Sequence, residues 1–91
     1  MSSRADRLQT AIAARLAPAR IEVVDESHLH AGHSGAAPGG ETHYSVLVVS
    51  PVFQGLNRVA RHRLVNAAAA DEFTTGLHAL ALTLRTPDEP A

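Results

Sequence analysis

Hydrophobic and polar positions alternate along the chain in segments that predict a fixed order of helices and strands. Near the N-terminus, Leu8, Ile12 and Leu16 recur at helical spacing, and Pro18 stops the pattern. A serine at position 2 or 3 can cap this first helix. The arginines predicted to point outward are Arg4, Arg7 and Arg15. The segment therefore predicts an amphipathic helix that packs one face against a core.

Two strands follow this helix. In the segment Arg20–Ser27, apolar Ile21 and Val23 alternate with polar residues, which is typical of a half-buried strand. The segment His43–Ser50 contains a nearly continuous run of branched aliphatic side chains, which is typical of a more buried strand. Pro51 ends it, and residues 51–56 are expected to form a turn or one short helical turn.

The second half of the chain predicts one long helix and a third strand. Asn57 can cap a helix that runs to about Thr74, and Gly76 follows in the usual place for a C-terminal cap. The predicted apolar face of this helix comprises Leu56, Ala60, Leu64 and Ala67 or Ala68. The third strand is Leu77–Leu84, with Leu80, Leu82 and Leu84 on one face.

This order, α-β-β-α-α-β with the short turn counted, predicts an α+β sandwich. The first two strands form an antiparallel hairpin. The last two are expected to be parallel because a helix connects them, and such a crossover connection is right-handed. The expected result is a three-stranded mixed sheet with helices on one face. Residues 1–85 form a single domain in this interpretation, and the polar, proline-broken residues 86–91 form a frayed tail.

Composition narrows the class of protein. The 91 residues are 45% hydrophobic but only 3% aromatic, so the core is thin and aliphatic. The net charge of −1 gives no global attraction to nucleic acids or anionic membranes. There is no cysteine, no apolar run near the roughly 20 residues of a membrane span, and no signal-peptide pattern at the start. We therefore expect a cytoplasmic protein without a membrane partner.

Histidines are concentrated in the connection between the first two strands. Four of the six lie between positions 25 and 43: His28, His30, His33 and His43. The connection is far longer than a tight hairpin needs, and imidazole is both a metal ligand and a proton carrier. His78 heads the third strand, and parallel strands start at the same sheet end, so His78 and the loop histidines are expected to share that end. His43, at the second strand's start, is interpreted as a structural or surface histidine.

The basic residues Arg58, Arg61, His62 and Arg63 cluster near the start of the long helix. Three interpretations stay open: a solvated helix start, a docking surface for a partner protein, and a phosphate-contacting surface for nucleic acid. Only Gly55 stands where a nucleic-acid-clamping GxxG loop would be expected.

Two other kinds of chemistry are less well supported. A zinc site formed by His28, His30 and His33 alone would lie in a loop without evident supporting residues. An enzyme is not indicated, because no nucleophile stands in a recognisable setting and there is no phosphate-binding glycine loop. Asp25 and Glu26 are adjacent, so they point to opposite strand faces rather than pairing as acid and base.

The segments VVDESHLH, GGETHYSVLVVSPVFQGL, RVARHRLVNAA and HALAL together resemble the BolA family, over roughly Leu8 to Leu84. The resemblance implies a type II KH-like fold and a non-enzymatic role, in which the protein pairs with a monothiol glutaredoxin and shares a [2Fe-2S] cluster with it and with glutathione. Such a role belongs to iron–sulfur trafficking, iron homeostasis or stress response. The isolated chain is then expected to carry no cluster, and a homodimer stays open.

The resemblance also implies which residues bind the cluster. His78 opens the HALAL motif and corresponds to a family ligand, and the family pattern places the second ligand at His30. Extra residues in this loop, AGHSGAA, make His33 the alternative to His30. Because such clusters need about four ligands, mostly thiolates, a chain without cysteine supplies only the histidine share. The family also implies an alternative function, a DNA-binding transcriptional regulator that uses the KH-like basic surface.

Overall fold

A three-stranded sheet with one helical face organises the chain. The computed structural model describes residues 3–26 and 42–90. The strands are β1 (Arg20–Asp25), β2 (His43–Val49) and β3 (Ala79–Arg85), in the order β1-β2-β3. The β1–β2 pair is antiparallel and the β2–β3 pair is parallel. The mixed sheet and its strand directions are therefore as the sequence predicts.

Helices cover one face of this sheet. They are α1 (Arg4–Leu16), α2 (Arg58–Ala68) and α3 (Ala70–Thr74), with a 3-10 turn at Pro51–Phe53. Ser3 caps α1 in a reciprocal capping box with Asp6, and the Asn57 side chain accepts a hydrogen bond from the Ala60 N–H at the start of α2. These caps satisfy backbone donors that would otherwise lack partners in the first turn.

The core lies between the helices and the inner face of the sheet. Alternate residues of β2 are buried there and their neighbours are only half-buried, as strand periodicity requires. The buried hydrophobic residues are Leu8, Ile12, Leu16, Tyr44, Val46, Val48, Phe53, Val65, Ala69, Leu77 and Leu84. The core is aliphatic apart from one phenylalanine and one tyrosine, as the composition predicts.

Two helical predictions need correction. The helix expected over residues 57–74 is divided at Ala69, whose backbone dihedrals (φ −91°, ψ 2°) leave the helical region. The short α3 that follows carries Glu72, which is buried and bonded to α1. Arg4, expected on the outer face of α1, is also buried because it forms an ion pair with Glu72.

The tail also differs from the expectation of fraying. Thr86 is buried, and its N–H donates to a carboxylate oxygen of Glu89 over 2.8 Å. The same carboxylate contacts Arg61 of α2 at 2.7 Å. Residues 86–90 are thus attached to the body of the domain by an ion pair that hydrophobic periodicity does not reveal. Within the described ranges, no helix combines the length and the apolar character needed to cross a membrane.

Candidate functional site

His78 is fixed at the head of β3 by its backbone. Its N–H donates to the Thr42 carbonyl over 2.8 Å, and the N–H of Ala79 donates to the same carbonyl over 3.1 Å. Its side chain is exposed. The parallel ladder therefore ties His78 to the residue immediately before β2, where the connection from β1 returns.

The His78 ring faces a second imidazole. The rings of His43 and His78 stack with their centroids 6.0 Å apart and their planes inclined by 8°. His43 is half-buried, and its Nδ1 lies 2.8 Å from the Thr42 hydroxyl oxygen, so a hydrogen bond orients its ring. One strand end thus presents two imidazoles, one exposed and one held by a neighbour.

The structure brings His78 together with His43 at this end of the sheet, whereas the predicted meeting of His78 with the loop histidines stays a prediction. His28, His30 and His33 lie outside the described residues. His43, interpreted as a structural or surface histidine, is the residue that stands against His78. The signal that could have identified it is the register: in a parallel pair with β2 starting at His43 and β3 starting at Ala79, the residue before Ala79 is its neighbour.

The donor set limits what this pair can bind. Two imidazoles provide nitrogen ligands for a transition metal, but neither residue provides sulfur. Within residues 3–26 and 42–90, no group of three or more His, Asp or Glu side chains is arranged to hold a metal ion. The chain has no cysteine anywhere. The pair can therefore supply nitrogen ligands to a metal, and any thiolate ligand would have to come from another molecule.

The turn that leads into His78 is held by an arginine from the opposite end of the chain. The Arg4 guanidinium donates to the Glu72 carbonyl over 3.0 Å and to the Thr75 carbonyl over 3.0 Å. The Glu72 carbonyl also accepts the Leu77 N–H over 2.9 Å. Between them Gly76 has a φ of 125°, which favours glycine. Arg4 thus braces the backbone just before the candidate ligand.

Glu72 is the anionic centre of this brace. Its carboxylate accepts hydrogen bonds from Arg7 (3.0 and 3.1 Å) and from Arg4 (2.9 Å). Hydrogen bonding from Arg7, opposed by burial and assisted by the charges of both arginines, lowers the pKa of Glu72 below its usual value. The carboxylate is consequently ionised at neutral pH, where it keeps both guanidinium groups in place.

The predicted basic cluster is divided by the fold. Arg61 is largely buried: its Nε donates to the Leu56 carbonyl over 2.9 Å, and its guanidinium lies 5.7 Å from the centre of the Phe53 ring. Its charge is matched by Glu89. The hydrogen bond from Arg61 lowers the pKa of Glu89 to about 2, and the pKa of Arg61 is raised in turn. Arg61 is therefore part of a structural ion pair rather than an independent surface charge.

The remaining basic residues line a groove or point elsewhere. Arg58, Arg61 and His62 lie along one side of a groove whose other side is formed by β3, including Arg85. Arg63 is exposed and is not among the residues that line it. Side chains two positions apart on a helix point in directions that differ by about 200°, so Arg63 lies on a different face of α2 from Arg61. The groove thus brings together two arginines and a histidine from α2 with one arginine from β3.

Comparisons with known proteins agree with this fold. The family model for BolA-like proteins matches residues 12–89. Among curated relatives, chloroplastic BOLA1 of Arabidopsis thaliana is 41% identical over 91 residues, 98% of this chain and 57% of the relative. The DNA-binding transcriptional regulator BolA of Vibrio cholerae is 39% identical over 84 residues, 92% of this chain and 76% of the relative.

The solved BolA domain of SufE1 from Arabidopsis thaliana superposes with a TM-score of 0.86, with 41% identity over 99% of both chains. The chain spans little more than half of the chloroplastic relative, so the match describes a domain rather than the whole of that protein. A family match over most of the chain, and structural agreement along nearly all of it, lead to one assignment: this chain belongs to the BolA family.

Proposed function

We propose that this protein is a non-enzymatic adaptor that supplies histidine ligands to a [2Fe-2S] cluster shared with a monothiol glutaredoxin and glutathione. The observation that carries the proposal is the pairing of His78 with His43, whose rings stack 6.0 Å apart at one end of the sheet. An exposed imidazole beside a second one is suited to a ligand role at an interface with another protein.

The absence of cysteine supports the shared character of the site. A [2Fe-2S] cluster takes four ligands, mostly thiolates, and this chain, which has no cysteine, supplies no thiolate. The partner glutaredoxin and glutathione would supply the sulfur atoms. Histidine ligation makes the cluster sensitive to protonation and raises its reduction potential, which suits cluster transfer or sensing.

The proposed ligands are His78 and one second histidine. His30 is the first choice from the family pattern, and His33 is its alternative in the same connection. His43 becomes a third candidate because it lies against His78. If His43 is not a ligand, its stacked ring still restricts the orientation of His78 and shields one side of the site from water.

The test is to assemble the cluster on a monothiol glutaredoxin with glutathione and then add this protein. We expect the visible absorption and circular dichroism of the cluster to change with the wild type and not with His78→Ala. The variants His30→Ala, His33→Ala and His43→Ala then identify the second ligand. His62→Ala is the matched control, because His62 lies on α2 and bonds its own helix. Identical spectra with wild type and His78→Ala would overturn the proposal.

A second candidate function, transcriptional regulation through DNA binding, has narrower support. The Vibrio cholerae relative carries that name, and Arg58, Arg61, His62 and Arg85 line one groove. This function predicts an affinity for duplex DNA that falls steeply with salt. Because Glu89 already neutralises Arg61, the expected affinity is low, and Arg58→Ala together with Arg85→Ala should abolish it. Equal affinity for promoter and random fragments would remove sequence-specific regulation from consideration.

A further inference from the structure

The groove between α2 and β3 lies at the end of β3 away from His78. It encloses about 530 Å³, with Arg58, Arg61 and His62 on its helical side and Leu82, Leu84 and Arg85 on its strand side. No carboxylate is among its lining residues. Glu89 matches the charge of Arg61, so Arg58 and Arg85 leave the groove locally positive in a chain whose net charge is −1. This local charge attracts anions.

The strand side of the groove is an edge of the sheet as far as the structure describes it. The N–H of Ala79 and the C=O of Arg85 are bonded to the residues that flank β2. Because the direction of backbone groups alternates along a strand, those of Leu82 and Leu84 point away from β2. The Leu84 carbonyl is already taken by Arg61 (3.3 Å) and Arg85 (3.0 Å). Leu82 therefore offers its backbone to an extended chain along the groove.

The chain's own tail indicates which chemistry this region accepts. The Glu89 carboxylate contacts two nitrogen atoms of Arg61 at 2.7 and 3.2 Å, which is a bidentate arrangement. The Pro90 carbonyl accepts a hydrogen bond from Arg85 Nε over 2.9 Å. Two of the three groove arginines are thus engaged by one acidic segment, residues 86–90. Arg58 shows no such engagement by a described carboxylate.

We propose that this groove binds an extended acidic segment of a partner protein, in competition with the chain's own residues 86–90. The partner's backbone pairs with β3 at Leu82, and its carboxylates contact Arg58 and Arg61. The inference is independent of the histidine site, since it requires no cluster. A protein segment fits better than single-stranded nucleic acid because the groove lining contains no Phe, Tyr or Trp ring on which a base can stack.

The experiment measures fluorescence anisotropy of a labelled decapeptide of alternating threonine and glutamate, added to the full chain without cluster. Glu89→Gln removes the internal competitor and is expected to tighten binding about two- to fivefold, the range for an ion pair with one partner near the surface. Arg58→Gln is expected to weaken binding by a similar factor. The matched control is Glu22→Gln, which removes the same charge from β1 and should leave the affinity unchanged.

Three results would overturn the proposal. The first is no binding of the decapeptide by either wild type or Glu89→Gln. The second is equal binding of the glutamine version of the peptide, or equal effects of Glu22→Gln and Glu89→Gln, since both outcomes deny a charge-specific groove. The third is tighter binding of a labelled ten-nucleotide thymidine strand with the same dependence on Glu89, which would assign the groove to nucleic acid. If circular dichroism shows that the Glu89→Gln variant is unfolded, the Arg85→Gln variant is used in its place, and weaker peptide binding is expected.

Discussion

Replacing Glu72 with glutamine should destabilise the domain far more than the same replacement at Glu22. Glu72 keeps only 12% of its side chain exposed and holds Arg4, of which 9% is exposed. Removing one partner of a buried ion pair typically costs about 3–5 kcal/mol. Arg4 retains carbonyl acceptors at Glu72 and Thr75, and glutamine keeps one acceptor oxygen, so we expect a cost below that range, about 2–3 kcal/mol.

The matched control is an exposed pair in the same protein. Glu22 contacts Arg20 at 2.9 Å, but their side chains are 51% and 68% exposed. Glu22→Gln should therefore lower the free energy of unfolding by less than about 0.5 kcal/mol. Urea denaturation at pH 7 followed by circular dichroism measures both. For a domain of this size, about 2–3 kcal/mol corresponds to a fall in Tm of roughly 10–20 °C.

The dependence on pH separates this ion pair from simple loss of packing. Because the pKa of Glu72 is lowered in the folded protein, its carboxylate contributes stability above the unfolded pKa, and that contribution is lost as pH falls through the folded pKa. The difference between wild type and Glu72→Gln should thus narrow as pH falls below about 4.5. A difference that stays constant down to pH 3, or equal losses for Glu72→Gln and Glu22→Gln at pH 7, would refute the reasoning.

Three further predictions concern the tail, the turn and the core. The Glu89 carboxylate should titrate near pH 2 when followed by carbon-13 NMR, and a midpoint near 4.5 would show that its ion pair does not form. In thermal melts, Gly76→Ala should destabilise the domain by about 1–2 kcal/mol more than Gly55→Ala. Both glycines have positive φ, but only at Gly76 would an added Cβ meet a side chain, that of Arg4, at 3.3 Å. Equal losses of stability would contradict this. Phe53→Ala should lower the free energy of unfolding by about 3–5 kcal/mol and Phe73→Ala by less than about 1 kcal/mol, because Phe53 is fully buried and Phe73 is 39% exposed. Similar losses for the two variants in urea denaturation would be inconsistent with the core described.

The order and direction of the strands could be predicted from sequence because they follow from local rules. Alternating apolar residues mark strands, a helical crossover makes two strands parallel, and serine and asparagine caps mark where α1 and α2 begin. Each of these signals lies within a few residues of the element it determines. The position of His78 at the same end of the sheet as the returning connection follows from that topology without any side-chain detail.

The pairings that organise the site could not be predicted in this way, because they join residues far apart in sequence. Arg4 and Glu72 are 68 positions apart, and hydrophobic periodicity assigns an arginine to the surface unless its partner is known. Arg61 and Glu89 are 28 positions apart, in segments interpreted separately as a basic patch and a tail. The contact between His43 and His78 could not be predicted for the same reason, because strand register and not composition brings their rings together.

The two ends of β3 therefore have different chemistry, and the strand keeps them apart. Six steps of about 3.3 Å place Arg85 roughly 20 Å from Ala79, which follows His78 directly. Over that distance exposed charges are separated by about two and a half Debye lengths at physiological salt, so a bound carboxylate at the groove would barely alter the electrostatics at the imidazoles. We accordingly expect a five-residue version of the acidic peptide, about 17 Å long when extended, to bind equally well with and without the proposed cluster at His78, measured by anisotropy under oxygen-free conditions. Competition between the two would mean that one partner covers both ends of the strand, and the sites would then have to be treated as one interface.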